Sequence, residues 1–221
     1  MNWLNKLERK YGRYAIKNLM MYIVGLNAFT FLLMFMVPGG SSVVSKLALH
    51  PAYVLRGEVW RLVTFIFIPF TSNLIFIIFA LYFYYLIGTT LEHQWGSFKF
   101  NMYYLIGMLG TIVASFVSNG WATNEYLNLS LFLAFAYLFP NFTVRLYFIL
   151  PLKIKYLAYL TWGLFAIDLV SKPWSGKFAI IAAIINFFIF FGKDMYKDIK
   201  IKRQVYSNRK RFKSQMRKWH K

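Results

Sequence analysis

Nucleophilic and metal chemistry both need particular side chains at particular spacings, and this sequence is short of them. It holds no cysteine among 221 residues, so thiolate nucleophiles, thiolate metal sites and disulfides are excluded. Its three histidines, His50, His93 and His220, lie far apart and form no H-E-x-x-H signature, so no metal site and no cofactor is expected. What remains is a hydroxyl activated by a base. Ser130 lies inside an apolar stretch, and Lys177 is the cation that could approach it as an unorthodox Ser–Lys dyad. The simpler reading of Lys177 is that its stem carries the ammonium out to the membrane surface. Asn128, Asp168, Asn186, Tyr82, Tyr84 and Tyr85 are the other polar groups in apolar stretches. Such groups are costly in hydrocarbon, so they either hydrogen-bond between helices or line a functional cleft.

The elements that must position these residues follow from composition. Hydrophobic residues make up 59% of the chain and charged residues 15%, against roughly 45–50% and about 25% in an ordinary globular domain. Mean hydropathy is +0.48, with 24 Phe, 16 Tyr and 7 Trp. A soluble fold of this length could not hide that much apolar surface, which predicts an all-α polytopic membrane protein.

Six spans are expected, over residues 19–37, 74–91, 100–117, 126–139, 154–170 and 178–191, the fourth and sixth being short for a bilayer. The first is read as a retained helix rather than a signal peptide, because Phe35, Met36 and Val37 stand where a cleavage site needs small residues. Between the first two spans, residues 38–73 read as a long interfacial loop, and residues 143–152 read as an amphiphilic connection. The chain thus divides into a basic N-terminal segment (1–18), a membrane domain (19–192) and a basic tail (193–221).

The net charge of +19 is then a topological signal. The N-terminal segment carries Lys6, Arg9, Lys10, Arg13 and Lys17, and the tail carries 12 Lys/Arg. The opposite side keeps only Lys46, Arg56, Arg61, Lys172 and Lys177. Both termini are therefore expected in the cytoplasm, with the tail against anionic lipids and no specific nucleic acid bound.

Three segments carry a resemblance. Gly57-Glu58-Val59-Trp60-Arg61-Leu62-Val63-Thr64-Phe65-Ile66-Phe67 resembles the G-x-x-W-R-L-x-T-x-x-F segment of the rhomboid superfamily. Gly88-Thr89-Thr90-Leu91-Glu92-His93-Gln94-Trp95-Gly96-Ser97 is similar to its G-x-x-L-E-x-x-x-G-S stretch. Leu138-Phe139-Pro140-Asn141, followed by Phe148-Ile149-Leu150-Pro151, resembles the connection between the fourth and fifth helices of bacterial members. The resemblance implies a six-helix rhomboid-like bundle in a bacterial inner membrane. Trp60 and Arg61 would shape the loop, Glu92 would accept hydrogen bonds at a helix end, and Gly88 and Gly96 would complete the motif.

The catalytic residues of that family do not carry over. Its G-x-S-G window falls on Thr123-Asn124-Glu125-Tyr126, its sixth-span histidine on Gly176, and its oxyanion donors on Phe76 and Ala80. The resemblance therefore implies a pseudoprotease or derlin-like protein, not an enzyme. It would bind transmembrane client proteins through a thinned bilayer and a lateral cleft between the second and fifth spans, with Asn128, Ser130 and Asn186 as the candidate cleft. Two other functions stay open: a protease using Ser130 and Lys177, and an insertase-like or ribosome-contacting protein, to which the basic tail points.

Overall fold

The computed structural model describes residues 2–37, 40–146 and 150–219. Ten α-helices are found among them: α1 (Asn2–Tyr11), α2 (Leu19–Met36), α3 (Ser41–Leu47), α4 (Pro51–Leu55), α5 (Arg61–Thr64), α6 (Leu74–Trp95), α7 (Ser97–Ser118), α8 (Glu125–Leu138), α9 (Ile154–Ser171) and α10 (Trp174–Trp219). By length and composition α2, α6, α7, α9 and α10 can each cross a membrane, and α8 is a shorter apolar helix. The chain is an integral membrane protein of the all-α class.

A helix covers each of the six expected spans, five of them long and apolar enough to cross a membrane, and three further features differ from expectation. Residues 143–152 are not simply amphiphilic: β1 (Thr143–Leu146) and β2 (Leu150–Lys153) form an antiparallel hairpin, Val144 opposite Leu152 and Arg145 opposite Pro151. The sixth span is not short. It belongs to α10, which runs unbroken from the bundle through residue 192 into the basic tail. No Pro or Gly falls between Lys193 and Trp219, so the drop in hydropathy there comes without a helix breaker. Lastly, the basic N-terminal segment contains a helix, α1, which buries Leu4 and sets Trp3 edge-on against Phe190. The Pro38-Gly39 break and Tyr147-Phe148-Ile149 lie outside the described residues.

The bundle is built around α8. Ten of its 14 residues are buried, and α6, α7, α9 and α10 all pack on it. At 1.5 Å per residue those 14 residues measure about 21 Å, against roughly 30 Å of hydrocarbon. The tightest helix pair is α7 with α10. Gly110 lies against Ala182, and a Cβ at Gly107 would overlap Leu127 and press on the Asn186 amide. Such close approach is how helices gain contact where lipid removes the hydrophobic drive to associate.

Gly88 does the same for α6 on α2: a Cβ there would overlap the Met20 Cβ and Cγ. These are near-backbone atoms of a side chain that is itself buried, so they have no room to withdraw. Gly88→Ala should lower the thermal stability of the purified protein by about 1–3 kcal/mol, the usual cost of overpacking. Gly25→Ala, on α2 with nothing within 4 Å of its added Cβ, is the matched control and should not destabilise in the same thermal-shift assay.

Candidate functional site

The first loop is irregular backbone at the end of a membrane bundle, so its polar groups need partners from within the protein. Arg61 supplies several of them. It is 4% exposed, its Nη1 donates to the carbonyls of Ser45 (2.5 Å) and Ala48 (2.7 Å), and its Nε and Nη2 both lie 2.6 Å from Glu58 Oε2. The guanidinium also lies over the Tyr53 ring, 4.7 Å from its centroid. One turn on, Thr64 Oγ1 donates to the Leu47 carbonyl at 3.0 Å.

Ser45, Leu47 and Ala48 are the C-terminal end of α3, where carbonyls have no partner within the helix. Arg61 and Thr64, three residues apart and hence on one face of α5, cap that end together. The W-R-L-x-T spacing thus has a physical reading: a short helix presents a cation and a hydroxyl to the C-terminus of another. Trp60 takes no part in this and is 52% exposed. Of the expected pair, Arg61 makes the capping bonds, with Thr64 beside it, and Trp60 stands half exposed.

The loop is then fastened to the bundle. Leu49 and Ala122 exchange backbone hydrogen bonds of 3.1 and 2.9 Å. Asn124 Nδ2 donates to the carbonyls of Ile66 (2.8 Å) and Ile68 (3.0 Å), and Asn27 Nδ2 donates to Ile66 O at 3.1 Å and Ile23 O at 2.8 Å. His50 caps α4 by accepting from Ala52 N at 3.2 Å, and its ring lies 4.7 Å from that of Trp121.

At the other end of the bundle, Glu92 holds the starts of two helices. It is buried, and its Oε1 accepts from Asn18 N (2.8 Å) and Ser97 Oγ (2.6 Å). Asn18 precedes α2 and Ser97 opens α7, so the carboxylate sits where two helix N-termini present partial positive charge. Gly96 turns the chain from α6 into α7 at φ +84°, a conformation that suits glycine.

The three candidate cleft residues are buried in the packed interior. Ser130 is fully buried; its Oγ lies 3.1 Å from Ala183 O on α10 and shares a 2.6 Å hydrogen bond with the Tyr103 hydroxyl on α7, which also reaches the Ser130 carbonyl at 2.9 Å. Asn186 joins this group through a longer bond, Nδ2 to Tyr103 O at 3.4 Å. Asn128, two residues from Ser130, lies on a different face of α8. Ser130 and Asn186 are therefore brought together by Tyr103, and Asn128 is not part of that network. Asp168 is half-buried and accepts from the Tyr126 hydroxyl at 3.1 Å.

Ser130 and Lys177 are not brought together. The Lys177 ammonium lies 5.1 Å from the centre of the Trp174 ring, out at the start of α10. Ala183, the actual partner of Ser130, is six residues further along, about 9 Å by helical rise. Of the positions matched to catalytic groups, Asn124 clamps the loop, Glu125 is exposed, Phe76 is half exposed, and a Cβ at Gly176 would press on the Lys172 stem. His93 is exposed near the end of α6. The sequence reading missed Tyr103, Asn27 and Asn124. Asn27 and Tyr103 were detectable as polar groups inside apolar runs, and Asn124 stood unweighed in the G-x-S-G window.

The family model described as "Eukaryotic integral membrane protein (DUF1751)" matches residues 17–191. The chain belongs to this family. No curated protein matches it. The match begins beside Asn18, whose N–H is held by Glu92, and ends with the last buried pair of α10, Phe190 and Phe191. Both fastened ends of the bundle thus fall within the family region. Its description as eukaryotic goes against the bacterial assignment made from the Pro140–Pro151 segment.

Arg61 carries a testable consequence. Arg61→Ala would strand the Ser45 and Ala48 carbonyls and leave Glu58 unpaired, at a cost of about 3–5 kcal/mol. Arg61→Lys keeps the charge but loses the planar fork and should remain clearly destabilised. Trp60→Ala should cost less than about 1 kcal/mol. Thermal unfolding of the three variants in one detergent checks the order.

Proposed function

We propose that the chain is a non-catalytic, rhomboid-like membrane protein that holds transmembrane segments of client proteins beside α8. The observation that carries this reading is the state of Ser130. Its Oγ is bonded to a backbone carbonyl and to the Tyr103 hydroxyl, neither of them a base that could take its proton, so it has neither a base nor a free face for attack. The short α8 supports the second half of the reading, since a helix of about 21 Å at the centre of the bundle favours local thinning of the bilayer. A client helix can lower its own hydrophobic mismatch there. The flanking helices α6 and α9 present large exposed side chains, among them Ile78, Tyr82, Tyr159 and Leu164, as a surface for it.

In-membrane photocrosslinking tests this directly. A photoreactive residue at Tyr82 or Tyr159 should capture transmembrane partners that one at Phe29, equally exposed on α2, does not. Equal capture at all three positions would refute the lateral site. Ser130→Ala should leave both the capture and the partners' lengths unchanged, and a cleavage product lost in that variant would overturn the non-catalytic reading.

The orientation belongs to the same proposal. The basic N-terminal segment and the α10 extension face the cytosol, where exposed Lys193, Lys197, Lys200 and Lys202 meet anionic headgroups. The chain has no cysteine, so single cysteines at Lys46 and Lys197 report the two sides. In sealed vesicles with the cytosolic face outward, an impermeant maleimide should label Lys197→Cys at once and Lys46→Cys only after detergent.

A further inference from the structure

The face of α10 that packs into the bundle does not end where the bundle ends. Ile184, Phe187 and Phe191 are three and four residues apart, and the same alternation runs on through Asp194, Asp198, Ile201, Val205, Asn208 and Phe212. In sequence it continues to Gln215 and Trp219. This is the a/d spacing of a heptad repeat, which turns one stripe of a helix toward one partner. Inside the bundle the stripe is covered, with Phe187 and Phe191 buried. At the bundle's edge Asp198 accepts from the Tyr137 hydroxyl at 2.7 Å. Beyond Asp198 the stripe is apolar and open, with Ile201 56%, Val205 43% and Phe212 61% exposed.

We propose that α10 beyond residue 198 is a docking arm for an acidic partner helix, with which it forms a two-stranded coiled coil. The residues beside the stripe choose the occupant. Lys197, Lys202 and Arg209 hold its e and g positions, together with the neutral Gln204. In sequence Arg211 and Lys218 fall at the next g positions, and residues 199–221 contain 10 Lys/Arg and no Asp or Glu. Charges at e and g decide which helices pair. A second copy would set Lys197 against Lys202, so like charge opposes self-pairing.

The bilayer does not cover the stripe either. From Lys193 to Trp219 the unbroken helix measures about 40 Å. Even at a tilt of about 40°, its end lies roughly 30 Å beyond the hydrocarbon. That is past the headgroup layer and several Debye lengths of about 8 Å, so headgroups reach only the first turns of the extension. A nucleic acid would answer the charge but leave Ile201, Val205 and Phe212 in water. A helix with apolar a and d residues and Glu at e and g covers the stripe and pairs its cations at once. Asn208 within the stripe then fixes the register against a polar residue of the partner.

The full chain in nanodiscs containing phosphatidylserine, at physiological salt, is titrated with a fluorescent peptide of about three heptads. The peptide has Leu at a and d, Asn facing Asn208, and Glu at e and g. Its scrambled sequence and a version with Lys for Glu are the controls. The ordered Glu peptide should bind at least about tenfold more tightly than either. Val205→Asn with Phe212→Asn should weaken it at least about tenfold, because two apolar side chains leave the seam. Lys202→Glu with Arg209→Glu should shift preference to the Lys peptide. All four side chains are exposed, so unchanged thermal unfolding shows that the bundle itself is intact. The chain has no cysteine, so a dye on Val205→Cys reports what else covers the stripe. It should be indifferent to lipid-borne quenchers, and the unlabelled variant should not form a quantitative disulfide dimer on oxidation. Equal binding of the scrambled peptide, insensitivity to the Val205 and Phe212 changes, tighter binding of a duplex RNA, quenching from the lipid, or that dimer would each overturn the proposal.

Discussion

A membrane bundle can carry a long irregular loop only if the loop's backbone is satisfied by the protein itself, and here the Arg61 guanidinium meets that condition at the end of α3. Arg61 reaches two carbonyls at the end of α3 and the carboxylate of Glu58 at once. An exposed arginine would gain little from such contacts. Buried among apolar neighbours, the same contacts decide whether the loop has one conformation, because every alternative strands a charge or a carbonyl. With α3 and α5 locked together, the turn that follows can offer Ile66 O and Ile68 O to Asn124 and Asn27. Loop, α2 and the start of α8 are thereby joined at a single point.

At the opposite end Glu92 works by the mirror of this chemistry. There an anion gathers two helix N-termini, where Arg61 gathers a helix C-terminus. The lipid-embedded middle of the bundle contains neither device. It is held by small residues, by α8 buried on almost all sides, and by the Tyr103–Ser130–Ala183 chain of hydrogen bonds linking α7, α8 and α10. Charge at both ends and shape in the middle is the division expected where ions are costly in hydrocarbon but affordable at its boundary.

How much of this was legible in the sequence follows the same division. The spans were readable because hydropathy is a sum over some twenty residues, and no single contact can mask it. Arg61, Glu92, Gly88 and Gly96 stood out only through the motifs of the family that the chain resembles, since Glu92 and Gly88 meet Asn18 and Met20, which are remote in sequence. The continuity of α10 was hidden behind a change in polarity at Lys193 that reads as a domain boundary, although the helix propensity across it is unbroken. An interfacial tryptophan and a loop-shaping one look alike in sequence, so Trp60 could not be sorted between them. Tyr103, Asn27 and Asn124 find their partners 27, 39, 56 and 58 residues away, and no local pattern encodes that distance.

Ser130 shows why a residue type is a poor witness to chemistry. A hydroxyl in a membrane interior must give its proton to something, and the identity of the acceptor separates a structural serine from a nucleophile. An imidazole accepts the proton and can carry it away; a backbone carbonyl accepts a hydrogen bond but is far too weak a base to take the proton. Here the acceptor is Ala183 O, on the helix that α8 must pack against, so the bond that quiets the hydroxyl is also one that holds α8 to α10. Freeing Ser130 for attack would require opening that contact and supplying a base in its place. The two demands conflict, because the opening would remove the packing that keeps Ser130 in position.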